Sequence, residues 1–271
     1  VVLVARFYTD YLWFSSVSAS TVFTTQLAAR VGLFLGFGLL MAGGVFGSLA
    51  LAYRLRPPVR RANLDSELLL QLRDNLDRRS WILMLLPSTV AGLLGGGVAA
   101  GQMQVFLAWV RSTDFGTSDA VFGLDASFYV FQLPWWRFVL NYVSFMVVVC
   151  LIGALLVHFL TGAMNSRAFR KSGNLKGAGK AAQRQVSILL GVTLLLYGIA
   201  SFLDRYGYLT TQNNLFTGVN YTDATSRVPA SLIVAAIAAI CALLCFYNAW
   251  RARRSVPGIA VGLLVISAMI L

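Results

Sequence analysis

The chain has 271 residues, 58% of them hydrophobic and 12% charged, with a net charge of +12 at neutral pH. That charged fraction is about half the average for soluble domains, which excludes an ordinary soluble globular protein. The positive excess does not indicate nucleic acid, because no aromatic residues for base stacking alternate with the basic ones.

A crossing of the hydrocarbon core takes about 20 mostly apolar residues. The opening "VVLVA" (1–5) is too short for that and reads as the tail of a truncated span. It lacks the charged n-region and cleavage site of a signal peptide. "RFYTDYLWF" follows, dense in rings, with Arg6 and Asp10 among them. Apolar runs then predict helices over 26–53, 81–110, 135–163, 186–203 and 229–250, and a truncated one over 257–271. The fold class is therefore all-α, a polytopic transmembrane bundle of seven helices with the first and last cut short. The 81–110 run exceeds one span and holds Pro87, so tilt or a kink should absorb its length. Pro229 sits where a helix start tolerates it.

Charge orients the bundle. The loops around 54–80, 164–185 and 251–256 carry 16 of the 22 basic residues and four of the ten acids, a net of +12. Everything else nets to zero. Lys and Arg are retained inside during insertion, so these loops are expected to be cytoplasmic, and 6–25, 111–134 and 204–228 extracytoplasmic. Anionic lipid headgroups are the expected neighbours of the basic loops. Within the first, Leu64, Leu68, Leu72 and Leu76 recur every four residues, predicting an amphipathic helix over 62–79. It either lies on the membrane or packs on the inner ends of the bundle.

Gly32, Gly36, Gly43 and Gly47 in one span, and Gly92, Gly96, Gly97 and Gly101 in the next, are spaced for close helix approach. They serve either packing within the chain or a homo-oligomer seam. Cys150, Cys241 and Cys245 lie in apolar runs without accompanying ligands and read as small buried hydrophobes.

The outer segments share one texture, rings with acids among them. Belt anchoring at headgroup level accounts for the rings. It does not account for Asp10, Asp114, Asp119, Asp125, Asp204 and Asp223, or for the nearby Arg205 and Arg227. "YTDYLWF", "FGLDASFYVFQLP", "LLVHFLTG", "LDRYGYL" and "FTGVNYTDATSRVPA" together resemble the uncharacterised bacterial family UPF0182, in its order and over nearly the whole chain. The resemblance implies seven membrane helices followed by a large extracytoplasmic region, expected after residue 271. It carries no catalytic residues over. The aromatic–acidic loops are then expected to dock that outer domain.

No hydrolase elbow, P-loop, dinucleotide fingerprint or zinc-protease pair occurs. No catalytic residue, cofactor or metal site is assigned. The three acids at 114, 119 and 125 do not fit an EF-hand loop. His158, the single histidine, reads as a hydrogen-bonded structural group, since a proton relay needs a chain of ionisable partners. The expected role is the membrane base of a bacterial plasma-membrane protein that handles lipid or another apolar molecule, or organises partners. A transporter or channel is the alternative. Its polar route would draw on Gln102, Gln104, Asn141, Ser144, Thr193 and Asn248. An enzyme whose active site lies in the outer region is a third reading.

Overall fold

The computed structural model describes residues 2–55, 80–161, 179–211 and 218–251. The expected amphipathic helix over 62–79 and the truncated helix over 257–271 lie outside them, as do most of the loops at 164–185 and 251–256. The described residues form α1 (Val2–Ser16), α2 (Ser20–Arg54), α3 (Ser80–Gly101), α4 (Met103–Val110), α5 (Leu133–Leu160), α6 (Lys180–Gly207) and α7 (Val228–Arg251). Single π-helical turns, Phe128–Gln132 and Asp223–Arg227, lead into α5 and α7. No strand occurs among the described residues, only an isolated bridge between Ser118 and Asp125. The fold is all-α. Five helices are long and apolar enough to cross a membrane: Ser20–Arg54, Trp81–Gly101, Phe128–Leu160, Lys180–Thr210 and Asp223–Arg251. Helices suit lipid because they satisfy their own backbone polar groups.

Several boundaries lie beyond the apolar runs. "RFYTDYLWF" belongs to α1, where Tyr11 and Phe14 share a face and meet Phe23 of α2 at ring distances of 5.7 Å. The turn between them holds Ser18 at a φ of 56°, the left-handed region. α6 starts at Lys180, ahead of the apolar run, because Gln183, Gln185 and Ser187 are buried there. The 81–110 run breaks at Gln102, which separates α3 from α4, and not at Pro87, which stays within α3.

The helices pack in a row. α3 lies on α2, α2 on α5, α5 on α6 and α6 on α7. Glycine sets the two closest pairings. A Cβ at Gly92 would lie 2.9 Å from the Gly38 carbonyl, and one at Gly96 would lie 2.6 Å from that of Phe34. Such backbone approach supplies the packing that the hydrophobic effect cannot supply in lipid. Between α6 and α7, Gly191 faces Phe246 and Gly198 faces the Ala235 carbonyl.

Thus Gly92 and Gly96 pack within the chain, joined by Gly38, Gly44 and Gly95, which the spacing did not single out. A Cβ at Gly32, Gly36, Gly43, Gly47, Gly97 or Gly101 would meet nothing within 4 Å among the described residues. Repeats at four-residue spacing identify a stripe of small residues. They do not say which stripe faces a neighbour.

Side-chain hydrogen bonds clamp each contact in the rest of the row. Tyr142 donates to the Phe37 carbonyl (2.8 Å), and Ser48 to that of Cys150 (3.0 Å), joining α2 to α5. Gln185 Nε2 donates to the Ser48 carbonyl (2.9 Å), joining α6 to α2. Asn248 Nδ2 donates to Ser187 Oγ (2.7 Å), joining α7 to α6. Such bonds average only about 0.6 kcal/mol in membrane proteins. They fix rotation and register more than they stabilise.

Filling the α2–α3 contact should therefore cost more than filling an open stripe. Gly96→Ala is expected to lower stability by about 1–3 kcal/mol through overpacking, whereas Gly43→Ala should be neutral. Thermal unfolding of the purified variants in detergent reads the difference.

Candidate functional site

α3 and α5 both pack on α2 but diverge from one another, leaving a cleft of about 880 Å³ between them. Met41 of α2, 1% exposed, forms its floor. Pro87, Ala91, Leu94 and Val98 wall one side, and Phe138, Phe145 and Val149 the other. Leu94, Val98 and Phe145 are exposed, so the cleft opens sideways, towards what would be lipid. From Pro87 to Gln102 it runs about 22 Å along α3, against a hydrocarbon core of about 30 Å. Its volume falls in the usual range of ligand pockets, about 300–1,000 Å³.

Polar groups gather at one end only: Gln102, Arg137 and Asn141. The Tyr142 hydroxyl also lines the cleft but is engaged by the Phe37 carbonyl. Arg137 Nη2 donates to Asp204 Oδ1 of α6 at 2.8 Å. Gly207 makes room for it, since any side chain there would run into the guanidinium. Both partners are substantially exposed, so the ion pair positions the arginine more than it stabilises the fold. Arg137 Nε is buried and finds no acceptor among the described residues.

The outer acids serve their own segments. Asp125 accepts the amides of Phe115, Gly116 and Ser127 at 2.8–3.1 Å. Asp119 accepts those of Val121, Phe122 and Leu124, and the Tyr129 hydroxyl at 2.7 Å. Ser127 Oγ donates to Asp114 at 3.4 Å. Hydrogen bonds from Ser127, then Phe115, hold the Asp125 carboxyl down at a pKa of about 2. Partial burial pushes Asp119 upward, but the amides of Phe122, Val121 and Leu124 and the Tyr129 hydroxyl outweigh it and lower its pKa.

The loop so organised lays Phe122 against Tyr206 of α6, with ring centroids 5.0 Å apart. Arg205 lies over the rings of Phe122, Phe202 and Tyr206 at 5.3, 4.3 and 4.4 Å, and donates to the Tyr206 hydroxyl. Asp223, 1% exposed, accepts from Arg227 at 2.9 Å, and its amide donates to the Asn220 side chain at 2.7 Å, closing the π-helical turn before α7. Asp10 is exposed on α1.

The acidic residues singled out in the sequence thus fall into separate arrangements: a loop brace, the Arg137 pair, the Asp223–Arg227 turn and the isolated Asp10. Asn141 and His158 do not meet. Asn141 stands at the polar end of the cleft. His158 is fully buried, with Nε2 3.0 Å from Gln185 Oε1. Since the amide of Gln185 is spent on Ser48, its oxygen must accept, and His158 carries its proton on Nε2. Of the other polar spans, Asn248 bonds Ser187 and Thr193 bonds its own helix at Leu189.

The sequence matches the Uncharacterised protein family (UPF0182) over residues 1–271. The chain belongs to this family. A UPF0182 protein of Streptomyces coelicolor is 40% identical over 98% of the chain and 27% of its own length. One from Frankia casuarinae is 36% identical and one from Thermobifida fusca 35%, each over the whole chain and 26% of its own length. The chain therefore spans about a quarter of these UPF0182 relatives. No solved structure matches it.

The loop brace is testable through pH. Because the folded pKa of Asp125 is depressed, its contribution is fully present above the unfolded value of about 4. It is lost as pH falls through about 2. Protease cleavage within 111–127, using an acid-active protease, should stay slow at pH 4 and accelerate towards pH 2. Asp125→Ala should cleave rapidly at every pH, and Asp204→Ala should not.

Proposed function

We propose that this UPF0182 chain is the membrane base of a bacterial plasma-membrane protein that handles a lipid, whose tail lies in the cleft between α3 and α5. The supporting observation is the distribution of polarity: apolar, laterally open walls, with hydrogen-bonding groups at one end alone. An amphiphile with an apolar tail and a polar head has that profile. A conduit for a solute would need polar groups along its length, and Asn248 and Thr193 already spend theirs inside the packing.

The exposed side chains of Phe115, Val121 and Trp136 add an apolar rim for a large outer domain to rest on. In this reading the membrane part presents the lipid and the outer domain acts on it or receives it. The polar end of the cleft faces outward by the distribution of basic loops. The basic loops themselves would hold the inner leaflet's anionic headgroups.

Blocking the cleft should remove the lipid without unfolding the protein. Val98 is an exposed cleft wall, so Val98→Trp can fill the space from the open side. Leu243→Trp, on exposed α7 surface away from the cleft, is the control. Lipid mass spectrometry on full-length protein in polymer-bounded native discs should show one enriched species for the native protein and the control, and its loss in Val98→Trp. Lipid matching the bulk membrane in all three would contradict lipid handling.

A further inference from the structure

We infer that the polar end of the cleft is a headgroup site for a phosphate-bearing lipid, with Arg137 as its anchor. The inference rests on the cleft holding a lipid tail, as proposed above.

The argument starts from the donors. A guanidinium has five N–H groups and no acceptor. One of Arg137's is used, by Asp204. Its Nε–H is buried and closed off from the cleft, but the side chain as a whole is 37% exposed, so the accessible donors are those of the two Nη groups. The residue lines the cleft, so an oxygen of the cleft's occupant is placed to accept from the Nη donors that Asp204 leaves over. Asn141 and Gln102 line the same end and have no side-chain partner among the described residues. Together they offer a fork-shaped cation and two amides, which fits a phosphodiester's several acceptor oxygens.

The surroundings support Arg137 in particular. Arg205, the next basic residue along α6, is stacked on three rings and held away from the cleft. Asp204 takes one edge of the Arg137 guanidinium, and Gly207 leaves space beside it. That aims the arginine while leaving Nη1 without a partner among the described residues. Asp204 is therefore a positioning residue, and it does not itself meet the phosphate.

Full-length protein reconstituted in discs with equal dioleoyl phosphatidylglycerol, dioleoylglycerol and monoglucosyl dioleoylglycerol separates head from tail. Native mass spectrometry should find the phospholipid retained over both neutral lipids by about tenfold, the worth of one charge-assisted hydrogen bond. Arg137→Gln should bring the ratio near unity while still carrying lipid. Asp204→Asn should keep the preference, since it leaves the cation in place. Equal retention of the glucolipid by native protein, an unchanged preference in Arg137→Gln, or equal loss in both variants would overturn the phosphate assignment. If the native protein retains none of the three, the lipid-handling reading fails as well; if Val98→Trp sheds lipid while Arg137→Gln keeps its preference, only the headgroup assignment fails.

Discussion

The rest of the structure depends on how closely α3 can approach α2. With Gly38 on one helix and Gly92 and Gly96 on the other, backbone meets backbone, and nothing larger than a hydrogen fits between. In lipid this contact replaces the missing hydrophobic drive. It draws α3 to its own side of α2. α5 is set by different groups: Tyr142 on the Phe37 carbonyl, Ser48 on that of Cys150, and Met146 against Gly44. Two helices held on one hub by separate contacts can stand apart over much of their length, although Tyr142 of α5 reaches Gly95 of α3. The space they leave is the cleft, and Met41 of the hub is its floor.

A second constraint acts at the opposite side of α2 and α5. His158, Gln185, Ser187 and Asn248 are all buried, and each has at least one partner across a helix interface. Each bond spares a buried polar group the cost of an unmade one, while His158 Nδ1 and Asn248 Oδ1 have no partner among the described residues. The cluster therefore specifies one rotation for each helix. It also takes up Asn248, one of the six polar side chains that a conduit would draw on, while Thr193 bonds its own helix.

Much of this was legible in the chain. Apolar runs of span length mark the five crossing helices, because lipid admits little else. Helix ends were less so. Gln183 and Gln185 look like loop residues by composition, yet both are buried, Gln185 because the Ser48 carbonyl and the His158 ring await it on other helices. The glycines show the same limit from another side: Gly92 and Gly96 pack as their spacing implies, while Gly32, Gly36, Gly43 and Gly47 present an open face. The acids could be located but not interpreted. Nothing in "FGTSDAVFGLDAS" reveals that Asp119 and Asp125 take the amides of their own loop. The cleft was not legible at all, since it arises between α3 and α5, which are not consecutive spans and are each placed by their packing on α2. Nothing in the sequence singles out Arg137 as a site residue. Only the fold shows Asp204 and Gly207 beside it and its Nε without a partner.

The central claim is that the space between α3 and α5 belongs to a lipid. An electron cryomicroscopy map of the full-length protein in native membrane discs tests it most directly. The account predicts continuous tubular density between the two helices, ending in a headgroup within hydrogen-bond reach of Arg137. A cleft filled by side chains of the protein itself, or by density no stronger than the surrounding annulus, would contradict it.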